Sequence, residues 1–174
     1  MTDMFQNVSG QMDPFKKLAS YIPGFNGYVE RQNRRDADKL VRDTVARRFT
    51  ELWKRASNLQ TDLVSAGKIE YVDDMEKAAI QLRTFIDKIS AAARGYSGLF
   101  DAVKINEKEL EALYNFDLAF FTLADQVSSG LDNVEASLGD DNALPAAIRN
   151  VTTLGRQAVQ NFNSRSEAFT GDGK

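Results

Sequence analysis

The chain has 174 residues, of which 43% are hydrophobic and 27% charged, and 22 Lys and Arg against 25 Asp and Glu give a formal net charge of -3. These values are typical of one folded domain with a sizeable core and argue against wholesale disorder. The chain has no cysteine and no histidine, which excludes disulfides, Ser-His-Asp catalysis and nearly every zinc or di-iron site of a helical bundle. The three prolines favour long uninterrupted helices.

Residues 1–26 are predicted to form an N-terminal tail that contains one short amphipathic helix and a turn. Asp13 followed by Pro14 is typical of a helix start, and apolar side chains then share one face. The sequence 23–27, Pro-Gly-Phe-Asn-Gly, predicts a turn from which two rings pack back on the body. The apolar face consists of Phe15, Leu18, Ala19 and Ile22, and the two rings belong to Phe25 and Tyr28.

A first long helix is predicted from Tyr28 to Ala66, about 39 residues, because this stretch contains neither proline nor glycine and apolar residues recur every three or four positions. Gly67 is the natural residue to end it. The recurring residues are Val41, Val45, Phe49, Leu52, Ala56, Leu59, Leu63 and Ala66.

A second helix is predicted from about Tyr71, with a regular heptad seam and a kink or break at Gly95 and Gly98. Asn106 and Glu109 have the spacing of a capping box, which opens a third helix. That helix is expected to end at residues 139–142. The fourth helix then enters through Asp141 or Asn142, tolerates Pro145 in its first turn and runs to about residue 170, and residues 171–174 are expected to fray.

Connections of about three to five residues cannot span a helix length, so consecutive helices are expected to run antiparallel. The fold class is therefore predicted to be all-α, an antiparallel up-down-up-down four-helix bundle over residues 27–170, preceded by the short amphipathic helix. The alternative is an extended coiled-coil hairpin that completes its core by dimerising.

Basic residues are concentrated on the first long helix. Residues 1–56 carry a charge of +4 and residues 57–174 carry -7, so an anionic partner could be held by this stripe. The stronger interpretation is a ladder of intrahelical ion pairs, because Asp38, Asp43 and Glu51 lie four residues from basic side chains. The basic residues are Arg31, Arg34, Arg35, Lys39, Arg42, Arg47, Arg48, Lys54 and Arg55.

The short N-terminal helix has two interpretations as well: it docks on the bundle or a neighbouring subunit, which is favoured, or it inserts into a membrane interface. Together with the basic stripe it supplies the candidate residues for contact with a partner or membrane. They are Phe15, Lys16, Lys17, Leu18, Ile22, Arg31, Arg34, Arg35 and Arg42.

Asp117 is the exceptional carboxylate, since it lies between Leu113 and Phe120 on an otherwise apolar seam. If it were buried it would need an arginine or a backbone donor as partner. We expect Phe116 to take the inward position and Asp117 to lie at the boundary. No catalytic, metal-binding or cofactor-binding residue is predicted, and no cofactor is expected.

The stretch 23–42 begins with Pro23-Gly24-Phe25-Asn26-Gly27-Tyr28 and continues through Arg31, Arg34-Arg35 and Ala37-Asp38-Lys39 to Arg42. It resembles a family of uncharacterised bacterial helical proteins. The resemblance implies a bacterial cytosolic setting and brings no activity or binding residues with it.

The function expected from these patterns is that of a non-enzymatic cytoplasmic helical bundle acting through protein–protein contacts, as a subunit, adaptor or scaffold, with a protein partner or self-association. The alternative is a peripheral protein at the inner membrane surface, which binds anionic lipid. Nucleic acid is not expected as a partner, because the chain is acidic with a pI of about 5.1, and no small-molecule substrate is evident. The first residues lack a secretory signal and no window is apolar enough for a membrane span.

Overall fold

The computed structural model describes residues 12–95 and 106–170, and this part of the chain forms five α-helices and no β-strand. The helices are α1 Met12–Tyr21, α2 Arg34–Ser65, α3 Val72–Gly95, α4 Glu107–Ala136 and α5 Leu144–Thr170. Single 3-10 turns, Arg31–Asn33 and Ile69–Tyr71, precede α2 and α3. The prediction of an all-α fold is confirmed.

The first long helix begins later than the pattern predicts. It starts at Arg34 and has 32 residues, about 48 Å at 1.5 Å per residue, whereas Tyr28 was expected to open it. Gly27 has φ of +83° and Glu30 is extended, so the chain turns before the helix begins. This turn allows the ring of Tyr28 to enter the core, where it is fully buried.

The end of α2 confirms the role predicted for Gly67. Its φ is +73°, a conformation that glycine adopts without a steric penalty. The N–H of Lys68 donates to the carbonyl of Leu63 at 2.8 Å and the N–H of Gly67 donates to that of Val64 at 3.0 Å. These two bonds satisfy carbonyls that the helix end leaves without intrahelical partners.

The start of α4 confirms the predicted capping box. The side chain of Asn106 accepts from the N–H of Glu109 at 3.3 Å, and the Glu109 carboxylate accepts from the N–H of Asn106 at 3.0 Å. Before α5, the carboxylate that accepts backbone N–H groups is Asp140, with bonds from Asn142 and Ala143 at 2.9 and 3.1 Å. The sequence prediction had assigned this entry to the next two residues.

The helices enclose one hydrophobic core. Helix α2 packs on α3 and α4, α5 packs on α3 and α4, and α1 lies against α4. Helices α3 and α5 approach closely at Gly155, where a Cβ atom would lie 2.8 Å from the Cβ of Gln81. The predicted seam residues of α2 are buried except Ala66, which is exposed.

Three predictions fall wholly or partly outside the described residues: the part of the tail before Met12, the break at Gly98 and the fraying of residues 171–174. Gly95 is the last described residue of α3. Among the described residues, the length and apolarity needed to cross a membrane are not combined in any helix.

Candidate functional site

Helix α1 is docked on the bundle. Leu18 and Ile22 are fully buried, and the ring of Tyr21 stacks on that of Phe121 in α4 with centroids 4.8 Å apart. Phe15 is half-buried and its ring lies 5.6 Å from that of Tyr114. The apolar face of α1 therefore belongs to the protein core, as the favoured docking interpretation expects.

Tyr28 ties the segment after α1 to the bundle through both its backbone and its side chain. Its N–H donates to the hydroxyl of Tyr114 at 3.0 Å, and its carbonyl accepts from Nε of Arg34 at 2.7 Å. Its own hydroxyl donates to Oδ2 of Asp117 at 2.5 Å. The rings of Phe25 and Tyr28 meet edge to face at 5.5 Å, so both rings pack on the body as the turn pattern predicts.

A buried charge network lies beneath Tyr28 and joins three long helices. Arg165 of α5 donates from Nε to Asp117 of α4 at 2.8 Å and from Nη2 to Asp38 of α2 at 2.6 Å. Asp38 also accepts from Nε of Arg42 at 2.7 Å. All four charged side chains are buried, and two carboxylates facing two guanidinium groups leave the network without net charge.

One polar atom in this network has no partner. Nη1 of Arg42 is buried and makes no hydrogen bond within the described part of the chain. The four carboxylate oxygens of Asp38 and Asp117 each accept a hydrogen bond from an arginine or tyrosine donor, as burial of charge requires.

Burial and the neighbouring charges together shift the pKa values of Asp117, Tyr28 and Arg165. Burial raises the pKa of Asp117, against the opposing attraction of Arg165 and the hydrogen bond from Tyr28. Burial, with the Asp117 charge added to it, raises the pKa of the Tyr28 phenol well above its ordinary value. The Arg165 guanidinium meets a burial cost that would lower its pKa, but the adjacent Asp117 and Asp38 carboxylates outweigh it and raise that pKa well above its ordinary value.

The prediction that Asp117 lies at the boundary of the core was wrong, but the expectation that a buried Asp117 needs a partner such as arginine was right. Asp117 is fully buried while Phe116 is half-buried, because Arg165 supplies the partner that an inward carboxylate needs. Sequence reasoning missed Arg165 and the burial of Asp38. A usable signal was present, since each of these charged residues lies three or four positions from apolar neighbours along its helix seam.

The basic residues of α2 pair both across helices and along the helix. Arg48 bonds to Asp125 of α4, and Arg55 bonds to Asp132 of α4 at 2.6 Å. The predicted intrahelical ladder is present at Lys39–Asp43, 3.1 Å, and at the buried Arg42–Asp38 pair. Arg55 faces Ser128 and Asp132 of α4. Its expected intrahelical ion pair with Glu51 is therefore replaced by contacts between helices.

The contact residues predicted from the sequence differ in their exposure in the folded protein. Lys16, Lys17 and Arg35 are exposed, and Phe15 and Arg34 are half-buried. Leu18, Ile22 and Arg42 are buried, so a partner could reach them only if the bundle opened. The side chain of Arg31 lies outside the described part of the structure.

A second site, which the sequence reasoning did not identify, is an open groove along the outer side of α4 and α5. Two cavities of about 480 and 540 Å³ share Thr122 and Gln126 and together form this α4–α5 groove. Leu118, Leu123 and Leu154 contribute apolar surface to it. Its amide and hydroxyl side chains are Asn115, Thr122, Gln126, Ser129, Asn133, Asn150, Gln157, Gln160, Asn161 and Ser164.

The α4–α5 groove is nearly free of charge. Its one charged lining residue is Asp125, which accepts a hydrogen bond from Tyr21 at 2.6 Å and pairs with Arg48. The remaining polar groups are amides and hydroxyls, which both donate and accept hydrogen bonds. The groove is therefore suited to contact with a neutral polar surface.

Within residues 12–95 and 106–170, three or more acidic side chains do not converge in a way that would hold a metal ion. The buried carboxylates of the network are enclosed and already hydrogen-bonded. Neither of them reaches the α4–α5 groove as a lining residue.

Comparisons of the chain with protein-family models, with curated proteins and with solved structures gave no match.

Proposed function

We propose that this chain is a non-enzymatic bacterial cytoplasmic protein that acts through protein–protein contacts, as a subunit, adaptor or scaffold, and that the α4–α5 groove is its contact surface. The observation that carries the proposal is the groove itself, an open row of amides and hydroxyls along two long helices with Asp125 as the one charged lining residue. Interfaces use such groups to form direct and water-mediated hydrogen bonds around apolar contacts.

The state of the charged groups supports a role without catalysis. A general acid or base must come within hydrogen-bond reach of its substrate, but Asp117 is fully buried and already bonded to Arg165 and Tyr28. A charge network of this kind stabilises one arrangement of helices, and we assign it that structural role.

The connectivity that we propose with this function is up-down-up-down. Arg48 pairs with Asp125 and Arg55 pairs with Asp132, so a step of seven residues along α2 corresponds to a step of seven along α4, which supports a common direction. Arg165, near the end of α5, meets Asp38, near the start of α2, which supports opposite directions for those two helices.

Site-specific photo-crosslinking in the producing cell tests the proposal. A photoreactive amino acid at Gln126, in the groove, should give a discrete adduct with a protein. The same amino acid at the exposed Glu76 of α3 is the control and should not give that adduct. If neither position gives an adduct, or if both give the same adducts, the α4–α5 groove is not the contact surface.

The second proposal is attachment to an anionic membrane surface, favoured by the exposure of Lys16 and Lys17 on α1. Since Leu18 and Ile22 are fully buried, insertion of the apolar face would require α1 to leave α4. Flotation with anionic vesicles at low salt tests this proposal. Binding that is lost in Phe15→Asp supports it, and absence of binding removes it.

A further inference from the structure

We propose that the α4–α5 groove binds a second copy of this chain, in a twofold-symmetric dimer. The inference rests on the proposed function and names its partner. It begins with a requirement of symmetry: a twofold axis places one surface patch against the same patch of the other protomer, so the patch must be complementary to itself.

A surface of amides and hydroxyls meets this requirement. Gln126 and Gln157 each carry both a donor and an acceptor, so two copies of either side chain can form hydrogen bonds with each other. A patch whose charges share one sign fails the same test, because like charges would face each other across the axis. The one charged lining residue, Asp125, is paired with Arg48, so the lining as a whole can face its own copy without strong repulsion.

The other faces of the bundle do not share this property. Helix α1 already covers part of α4 on the side of α2. The outer faces of α2 and α3 carry exposed charges of both signs at close spacing, including Arg47, Glu51, Glu76 and Lys77. A twofold contact through either of those faces would require each charge to meet one of the opposite sign, whereas the α4–α5 groove needs little such alignment of charges.

The face that contains the groove is of the order of size that a dimer interface requires. From Asn115 to Asn133 the groove follows α4 for about 27 Å at 1.5 Å per residue, and two packed helices present a face about 20 Å wide. The projected area is about 500 Å², and the ridged surface of side chains has a larger accessible area. Each partner of a stable interface buries about 800 Å², so most of this face would be used.

The position of the axis follows from the two cavities. They meet at Thr122 and Gln126, so the axis is expected near these residues. Each would then lie close to its own copy in the second protomer, whereas Asn115 and Asn133 at the ends of the groove would lie far from theirs.

The first experiment measures the mass of the full chain in solution by sedimentation velocity over a wide range of concentration. We expect a species of twice 19.4 kDa. The variant Gln126→Lys/Gln157→Lys introduces like charges on both sides of the axis and should raise the dissociation constant at least about tenfold.

A matched control adds the same charge to exposed amides outside the groove. Asn58 and Asn163 are exposed and line neither cavity, so Asn58→Lys/Asn163→Lys should leave the dissociation constant within about twofold of the original. Circular dichroism verifies that both variants remain helical. A dimer that the control weakens as much as the groove variant would overturn the proposal.

The second experiment uses the absence of cysteine from the chain. The variant Gln126→Cys has a single thiol and should form a disulfide-linked dimer under mild oxidation. Asn133→Cys and Asn58→Cys should remain unlinked, because their copies would lie too far apart for a disulfide. Equal linkage of all three variants would contradict an axis near Gln126.

The experiments distinguish failure of the proposed dimer from failure of the proposed function. A monomer at every concentration, with a photo-adduct from Gln126 to a different protein, overturns the dimer and leaves the proposed function in place. A monomer without any groove-specific adduct overturns both.

Discussion

Arg165 of α5 donates from Nε to Asp117 of α4 at a distance of 2.8 Å, and both side chains lie in the core. The same guanidinium donates from Nη2 to Asp38 of α2, so one side chain connects three helices. Because all of these groups are shielded from water, removal of one member leaves an uncompensated buried charge in the network.

Arg165→Met is therefore expected to destabilise the protein strongly. The change leaves the carboxylates of Asp117 and Asp38 without this guanidinium, and removal of one partner of a buried pair costs about 3–5 kcal/mol. The free energy of unfolding, measured by urea denaturation, should fall by this amount.

Two comparisons test whether the effect comes from buried charge. Asp117→Asn removes one carboxylate charge and leaves Arg165 paired with Asp38, so it should destabilise less than Arg165→Met. Asp43→Asn breaks an exposed pair with Lys39 and should cause no measurable change. If all three variants had equal stability, the network would not have the structural role assigned to it.

Gly27 and Gly24 form a matched pair for the turn before α2. Their φ values are +83° and +82°, so substitution by alanine is strained at both positions by about 1 kcal/mol. At Gly27 the added Cβ would also lie 2.6 Å from the Tyr114 hydroxyl, whereas the space around Gly24 is open to 4 Å.

We therefore expect Gly27→Ala to lower the free energy of unfolding more than Gly24→Ala, by an additional amount of about 1–3 kcal/mol. Thermal or urea unfolding of both variants measures the difference. Equal losses would show that backbone strain alone fixes the turn and that contact with Tyr114 is unimportant.

The phenol of Tyr28 is expected to limit stability at alkaline pH. Burial raises its pKa well above the ordinary value, so the unfolded chain releases this proton at a lower pH than the folded chain. The stabilising contribution is thus complete below pH of about 10 and is lost as the pH rises towards the folded pKa.

Tyr28→Phe should cost about 1–2 kcal/mol at neutral pH, through loss of the hydrogen bond to Asp117. It should also show a shallower fall in stability above pH of about 10 than the original chain. Unfolding at a series of pH values gives both quantities. An unchanged alkaline slope in Tyr28→Phe would contradict the assignment.

Arg48 and Arg47 are adjacent in sequence and differ in environment. The Arg48 guanidinium pairs with Asp125 and lies 5.4 Å from the ring centroid of Tyr21, while Arg47 is exposed. Arg48→Ala should cost about 1 kcal/mol and Arg47→Ala close to nothing. The difference should shrink at high salt, since the Arg48–Asp125 pair is partly exposed.

The local signals in the sequence were reliable where short-range physics decides the structure. The capping box at Asn106 and Glu109 and the helix end at Gly67 depend on hydrogen bonds between residues a few positions apart, and both were predicted. The buried seams also followed from periodicity, since an apolar stripe on a helix must face a core. The start of α2 was mispredicted because burial of the Tyr28 ring in the core is a tertiary effect, which the local sequence pattern does not contain.

The sequence alone was enough to predict the helical content, the capping box of α4, the end of α2 and the apolar seams that face the core. Which charged side chains meet was decided by the tertiary structure: Asp38, Asp117 and Arg165 are 79 and 48 positions apart along the chain, and no local rule relates them. The α4–α5 groove has the same origin, because its polar row consists of the outer sides of two helices that become one surface only when they pack. Local hydrogen bonds and periodicity are encoded within a few residues, whereas charge pairing and surface shape depend on how distant segments are brought together.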